Sequence, residues 1–143
     1  MKKYKIGYTQ GVYDMFHVGH LNLINRAKEF CDILIVGVNS DELVCAYKNK
    51  HTVICEEERR LIVSNIKAVD DCVIVSSLDK KAIWEQLHFD AIFIGDDWKG
   101  NSRWTATEKE MRQYGVDVVY LPYTKGISST LLNEVLLKLQ NGE

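Results

Sequence analysis

The sequence predicts one α/β domain, a parallel sheet of about five strands with helices on both faces. Three observations predict it. Short apolar runs rich in β-branched residues alternate along the chain with stretches whose apolar residues recur at helical spacing, and residues 33–38 (ILIVGV) are the clearest such run. No internal repeat, low-complexity tract or linker interrupts the alternation. The single proline, Pro122, stands where the last strand ends and breaks no ladder. Strand–helix–strand alternation implies right-handed crossovers, so the ligand crevice belongs at the carboxyl ends of the strands, where the strand order reverses.

Each element follows in order. Tyr4, Ile6 and Tyr8 alternate as a half-buried strand does, and Leu21, Leu23, Ile24, Ala27 and Phe30 then share one helical face. Residues 33–38 fit a strand covered on both sides. Ser40 caps a short helix running through Tyr47, and residues 48–53 form a polar loop. The next helix is expected over 56–68, burying Leu61, Ile62 and Ile66. Its first turn holds Glu56, Glu57 and Glu58, which the helix dipole favours, and Arg59 is expected to pair with those acids. Further strands are expected at 72–76, 91–94 and 116–121, with helices at 79–87, 103–114 and 129–139.

Composition narrows the partners. A chain of 143 residues, 46% of them hydrophobic, suits one domain whose core needs neither disulfides nor a structural metal. A net charge of −2 provides no broad cationic field for nucleic acid or an anionic membrane, so any bound anion should be small and held locally. Cys31, Cys45, Cys55 and Cys72 form neither a CxxC pair nor a zinc-ribbon spacing and read as reduced, mostly buried thiols. They suit a cytoplasm. The N-terminal MKKYKIGYTQG lacks the apolar core of a signal peptide, and no apolar run approaches the roughly 20 residues that span a bilayer.

The most informative segment is GVYDMFHVGH, residues 11–20, where a strand runs into a helix. Gly19 falls near the helix start, where unpaired backbone N–H groups and the aligned peptide dipoles favour an anion. His17 and His20 can add donors to phosphate oxygens. The same pair can be metal ligands, but zinc needs three or four and nothing nearby completes the set. A lone histidine is usually structural; a pair around glycine at such a junction favours function. After the fourth strand, GDDW (95–98) brings two carboxylates and an indole. Asp96 and Asp97 can take Mg²⁺, bond a base or sugar, or close an Asx-turn. Trp98 and Trp104 read as exposed indoles on a polar loop, which usually means contact with a ligand or partner. After the fifth strand, GISST (126–130) offers Ser128, Ser129 and Thr130 hydroxyls at another helix start, as a phosphate loop or a simple cap. Lys48 and Lys50, normally solvated, reach a transferring phosphoryl group if their loop folds over the crevice.

Taken together, HVGH, GDDW and YTKGISS (123–129) resemble the cytidylyltransferase family, whose signatures are HxGH, GDDW and an RTEGIST loop. The resemblance covers nearly the whole chain and is strongest to the members that act on glycerol 3-phosphate; IVGVNSDEL (35–43) and VDDCV (69–73) also resemble the choline-phosphate members. It implies a Rossmann-like nucleotidyltransferase fold, a homodimer, and transfer of CMP from CTP to a small alcohol phosphate with release of pyrophosphate. His17, His20 and Lys48 would then be catalytic. The nucleotide would meet Gly11, Val12, Asp14, Gly19, Lys50, Gly95 and Asp97, together with Tyr123, Thr124, Gly126, Ile127, Ser128, Ser129 and Thr130, with Mg²⁺ accompanying the triphosphate. Tyr123 and Lys125 replace the arginine and glutamate of the family loop, trading a bidentate phosphate fork for a phenol with a cation two residues on. Phosphocholine or phosphoethanolamine is the alternative acceptor. An ATP-using adenylyltransferase is a second reading, although that group usually has a basic residue where Asn133 stands. A nucleotide-binding module without catalysis is the third.

Overall fold

The computed structural model describes residues 2–122 and 136–139. Five strands, β1 (Tyr4–Gly11), β2 (Cys31–Asn39), β3 (Asp71–Val75), β4 (Ala91–Gly95) and β5 (Asp117–Leu121), form one sheet in the order β3-β2-β1-β4-β5. Every pairing is parallel. The intervening helices are α1 (Val18–Lys28), α2 (Asp41–Lys48), α3 (Glu56–Ser64), α4 (Lys80–Leu87) and α5 (Ser102–Arg112), with a 3₁₀ turn at Asp96–Trp98. The chain adds strands outward from β1 to β3, then returns to the other edge of β1 for β4 and β5. The strand order therefore reverses between β1 and β4, and the loops following these two strands meet there.

Two apolar layers cover the sheet. Ile24 and Ala27 of α1 and Val63 of α3 pack with Leu34, Val36 and Phe93 on one face. Ile83 of α4 and Trp104 and Met111 of α5 pack with Tyr8, Phe89 and Ile92 on the other. The histidine-bearing helix and the α4–α5 pair thus approach the crevice from opposite sides of the sheet. Tyr8 stacks on Phe89 with ring centroids 4.7 Å apart. Its phenol occupies the space over Gly37, where a Cβ would lie 2.2 Å from the hydroxyl oxygen.

Four expectations change. β1 is not half-buried: it is the central strand, paired on both edges, and Tyr4, Tyr8 and Thr9 are all buried. Helix α3 stops at Ser64, and Leu61 and Ile62 are 60% and 42% exposed. The stripe it buries is Arg59 and Val63, one turn apart, so the buried face differs from the apolar one because a charge occupies the core position. Only Cys31 and Cys72 are buried, whereas Cys45 and Cys55 are exposed. Trp104, expected on an exposed loop, is 5% exposed within α5, while Trp98 is 42% exposed. Of the helix expected over 129–139, only 136–139 fall among the described residues, and they are helical.

Candidate active site

The crevice at the switch point has a volume of about 390 Å³. Among the described residues predicted for the site, Gly11, Val12, Asp14, His17, Gly19, His20, Lys48, Lys50, Gly95 and Asp97 all line it. Tyr123, Thr124, Gly126, Ile127, Ser128, Ser129 and Thr130 lie outside the described residues.

The β1–α1 connection is held in an unusual shape. Tyr13 and Met15 adopt left-handed backbone angles, φ 55° and 50°. Non-glycine residues rarely do so, and such angles persist where surrounding structure enforces them. Here the enforcement is visible. Tyr13 is buried, and both carboxylate oxygens of the buried Asp14 accept backbone N–H groups, from Val53 at 2.8 Å and Ile54 at 2.9 Å. Asp14 therefore ties this loop to the segment leading into α3. Gly11 leaves room for the fold-back, since a Cβ there would lie 3.1 Å from the Tyr13 ring.

His17 is the N-cap of α1. Its Nδ1 accepts the N–H of Gly19 at 3.0 Å, and Nδ1 of His20 accepts the N–H of His17 at 3.2 Å. This is a capping box built from two imidazoles in place of the usual hydroxyl and carboxylate. Because each Nδ1 is an acceptor, the neutral ring carries its proton on Nε2. The two rings stack at 3.9 Å, with Tyr13 edge-on and Phe16 tilted against His20. Burial lowers the pKa of both histidines; for His20, burial and the neighbouring His17 bring it to about 4, against a smaller opposing pull from Asp14. Both are neutral N–H donors at physiological pH. Nε2 of His17 is buried and, among the described residues, has no hydrogen-bond partner, which is costly unless a ligand oxygen accepts from it.

Helix α2 ends with Asn49 in the left-handed C-cap conformation, φ 52°. The turn brings Lys48 and Lys50 to the same crevice, and burial together with the Lys50 charge lowers the pKa of Lys48. On the other side, Gly95 is buried at the end of β4. The 3₁₀ turn then presents Asp97 and Trp98 to the cavity.

Arg59 departs furthest from expectation. It does not pair with the glutamates of its own helix. It is fully buried, with Nε donating to the Ile54 carbonyl at 2.8 Å and Nη1 to those of Val12 at 2.6 Å and Asn39 at 2.8 Å. Nη2 donates to the Asp41 carboxylate at 2.6 Å. One planar fork thus ties the ends of β1 and β2 to the segment before α3. Beneath the crevice, Gln10 donates to Asn39 Oδ1 at 2.8 Å and the Ser77 carbonyl at 3.0 Å and accepts from Tyr8, which joins β1, β2 and the segment after β3.

Pattern reading also missed Lys80, Arg103 and Tyr47, all of which line the cavity. A signal existed for two of them. Lys80 and Arg103 stand in the first turns of α4 and α5, where the helix dipole disfavours a cation.

Comparison with known proteins agrees with this geometry. The family model described as cytidylyltransferase-like matches residues 8–135. The chain is 36% identical over 132 residues to glycerol-3-phosphate cytidylyltransferase of Bacillus spizizenii, covering 92% of this chain and 96% of that one. It is 34% identical over 138 residues to the enzyme of the same name from Bacillus subtilis, with the same coverage of each chain. In fold it resembles the lipopolysaccharide core biosynthesis protein of Thermoplasma volcanium, with a TM-score of 0.71 at 22% identity over 87% of this chain and 99% of that one. The chain belongs to the cytidylyltransferase-like family and is a nucleotidyltransferase.

Proposed function

We propose that the protein transfers CMP from CTP to glycerol 3-phosphate, giving CDP-glycerol and pyrophosphate. The observation that carries this reading is the backbone-anchored imidazole pair, whose His17 Nε2 has no acceptor among the described residues at the mouth of a parallel sheet. The relatives, glycerol-3-phosphate cytidylyltransferases, support these substrates.

In the reaction, an oxygen of the acceptor phosphate attacks the α-phosphorus of CTP in line. The bond from that phosphorus to the bridging oxygen breaks, and pyrophosphate leaves with the electron pair. His17 and His20 donate Nε2–H bonds to phosphate oxygens and give up no proton. Lys48 and Lys50 add positive charge where charge accumulates. Because the imidazoles and their anchors are set before substrate arrives, little reorganisation opposes the step.

Mg²⁺ fits as an ion carried by the nucleotide. Among the described residues no group of three or more His, Cys, Asp or Glu is placed to hold a metal by itself. Asp97 is a crevice-lining carboxylate, and Mg²⁺ commonly uses one or two carboxylates together with substrate phosphates. The ion would supply neutralisation of the leaving pyrophosphate. The same reading includes a homodimer acting in the cytoplasm, without nucleic acid or membrane as partner; sedimentation of the purified protein tests the dimer.

Incubation with CTP or ATP, Mg²⁺ and a panel of glycerol 3-phosphate, phosphocholine and phosphoethanolamine tests the reaction. Pyrophosphate release with CTP and glycerol 3-phosphate, with CDP-glycerol identified by mass, is expected. Silence with every acceptor, or a preference for ATP, overturns it.

A further inference from the structure

The hydrogen-bond sense of the Tyr47 phenol is set from a distance. The series begins at the Ser77 carbonyl, which can only accept, so the Gln10 atom bonded to it at 3.0 Å is the amide nitrogen. The same nitrogen donates to Asn39 at 2.8 Å, and Gln10 Oε1 accepts the Tyr8 hydroxyl at 2.8 Å. Asn39 therefore meets Gln10 with its oxygen and turns its own amide nitrogen to the Tyr47 oxygen, 3.0 Å away. Asn39 is buried, and Tyr8 is held by its stack on Phe89. Each bond fixes the sense of the next.

At the end of the series a proton is left over. The Tyr47 oxygen accepts from Asn39, and among the described residues no group accepts the Tyr47 proton in turn. Burial raises the phenol pKa, against opposing effects of the Asn39 bond and the Arg103 charge, so the group stays protonated at neutral pH. Its side chain lines the crevice. A neutral O–H whose own oxygen is already engaged needs an oxygen acceptor, and two features of the surroundings restrict the ligand that brings one. Lys48, Lys50, Lys80 and Arg103 line the same cavity and repel a cationic group. The Lys48 ammonium also stands 5.6 Å over the Tyr47 ring and takes a face that could otherwise cradle an organic cation.

We propose that Tyr47 reads a hydroxyl of the acceptor alcohol, with Gln10 and Asn39 as positioning residues that keep its proton free for that oxygen. The acceptor class that follows is an uncharged, hydroxyl-bearing alcohol phosphate, and phosphates of amino or quaternary ammonium alcohols are disfavoured. This rests on the transferase reading and supplies a physical origin for its choice among acceptors. That choice is a difference between two affinities, which one donor can create by pairing in one complex and staying unpaired in the other.

Initial rates and calorimetric Kd values for glycerol 3-phosphate and n-propyl phosphate, the same ester without hydroxyls, test the assignment. Tyr47→Phe removes one hydroxyl and keeps the ring. It is expected to lower kcat/KM for glycerol 3-phosphate by about tenfold and that for propyl phosphate by less than about twofold, the effect of one hydrogen bond. Asn39→Asp provides a carboxylate with no N–H to give, so Tyr47 must donate to it. The preference for glycerol 3-phosphate should then drop to the Tyr47→Phe level and no further in the double variant, while the added charge weakens both phosphates alike and cancels in the ratio. A wild type that turns over with a preference Tyr47→Phe does not change overturns the hydroxyl contact and leaves the transferase reading intact. Equal losses for the two phosphates in Tyr47→Phe also overturn it, and equal losses in Asn39→Asp overturn the relay. If the wild type never releases pyrophosphate but binds glycerol 3-phosphate more tightly than propyl phosphate, and Tyr47→Phe levels the two, the transferase reading fails and the contact stands. Equal binding of the two by a wild type without turnover overturns both.

Discussion

The backbone N–H of His17 donates to Nδ1 of His20 at 3.2 Å, while Nδ1 of His17 itself accepts the N–H of Gly19 at 3.0 Å. The pair therefore does two jobs with different atoms of the same rings. The Nδ1 atoms satisfy helix-end donors that would otherwise be unpaired, which leaves the Nε2 atoms as the N–H donors of two rings that line the crevice. Structure and chemistry at these positions can be separated by substitution.

Replacing His17 with Asn keeps a strong N-cap oxygen for the Gly19 amide and removes the Nε2 donor. Turnover should fall by about 10²–10³-fold, the cost of losing one preorganised donor, with little change in thermal midpoint. His17→Ala loses the cap as well and should cost about 1 kcal/mol of stability besides. Pyrophosphate release and thermal melts of the two variants side by side provide the check.

His20 links stability to pH. Its folded pKa, about 4, lies below the ordinary 6.5, so the unfolded chain binds a proton that the folded protein refuses. Its contribution is fully present above pH 6.5 and is lost as pH falls toward 4, by up to about 3 kcal/mol. Urea midpoints measured between pH 7.5 and 4 should show this decline. His20→Gln, which can still reach back to the His17 amide as a capping-box glutamine does, should flatten it. A curve that does not flatten assigns the pH sensitivity elsewhere.

Arg59 should be the least replaceable charge in the described fold. Burial pushes the carboxyl pKa of Asp41 up, but hydrogen bonds from Thr52, Arg59 and the Glu56 amide outweigh it and hold the group below its usual range. Arg59→Met leaves the carbonyls of Val12, Asn39 and Ile54 without this donor and Asp41 without its cation. A loss of about 3–5 kcal/mol is expected by denaturant unfolding, chiefly from carbonyls left without a donor at about 1–3 kcal/mol each, since the Asp41 side chain is 41% exposed and can turn to water. Arg59→Lys should recover only part of it, because one ammonium cannot reach acceptors spread over three segments.

The alternation of strands and helices, and the placing of a ligand crevice at a reversal of strand order, were legible because both follow from local periodicity and crossover handedness. So was a helix start near Gly19, since glycine, the histidines and the apolar face of α1 are neighbours in sequence. The centrality of β1 was not, because strand order depends on contacts between distant segments. Arg59 and Lys80 stayed hidden for a related reason. Pattern reading assigns charges to solvent, and what buries Arg59 is a set of carbonyl acceptors supplied by residues 12, 39 and 54, whose convergence only the folded chain displays. Lys80 carried a clue, a cation at a helix start, but a single misplaced charge becomes informative only beside Arg103 and Trp104.

Lys80, 6% exposed at the start of α4, should oppose folding. Its folded pKa of about 8 lies below its ordinary 10.5, so at pH 7 the folded state keeps a proton on a group that burial disfavours. Replacement with Met, similar in length and uncharged, should stabilise the ligand-free protein by about 1–3 kcal/mol, as replacing buried charges with apolar groups often does. The gain should shrink as pH rises through 8, where the wild-type lysine loses its proton and its penalty. Thermal melts of Lys80→Met and of the wild type from pH 6 to 9.5 test this. A variant less stable than wild type at pH 7 would show that Lys80 is held by contacts of structural value, such as its place over the Trp104 ring.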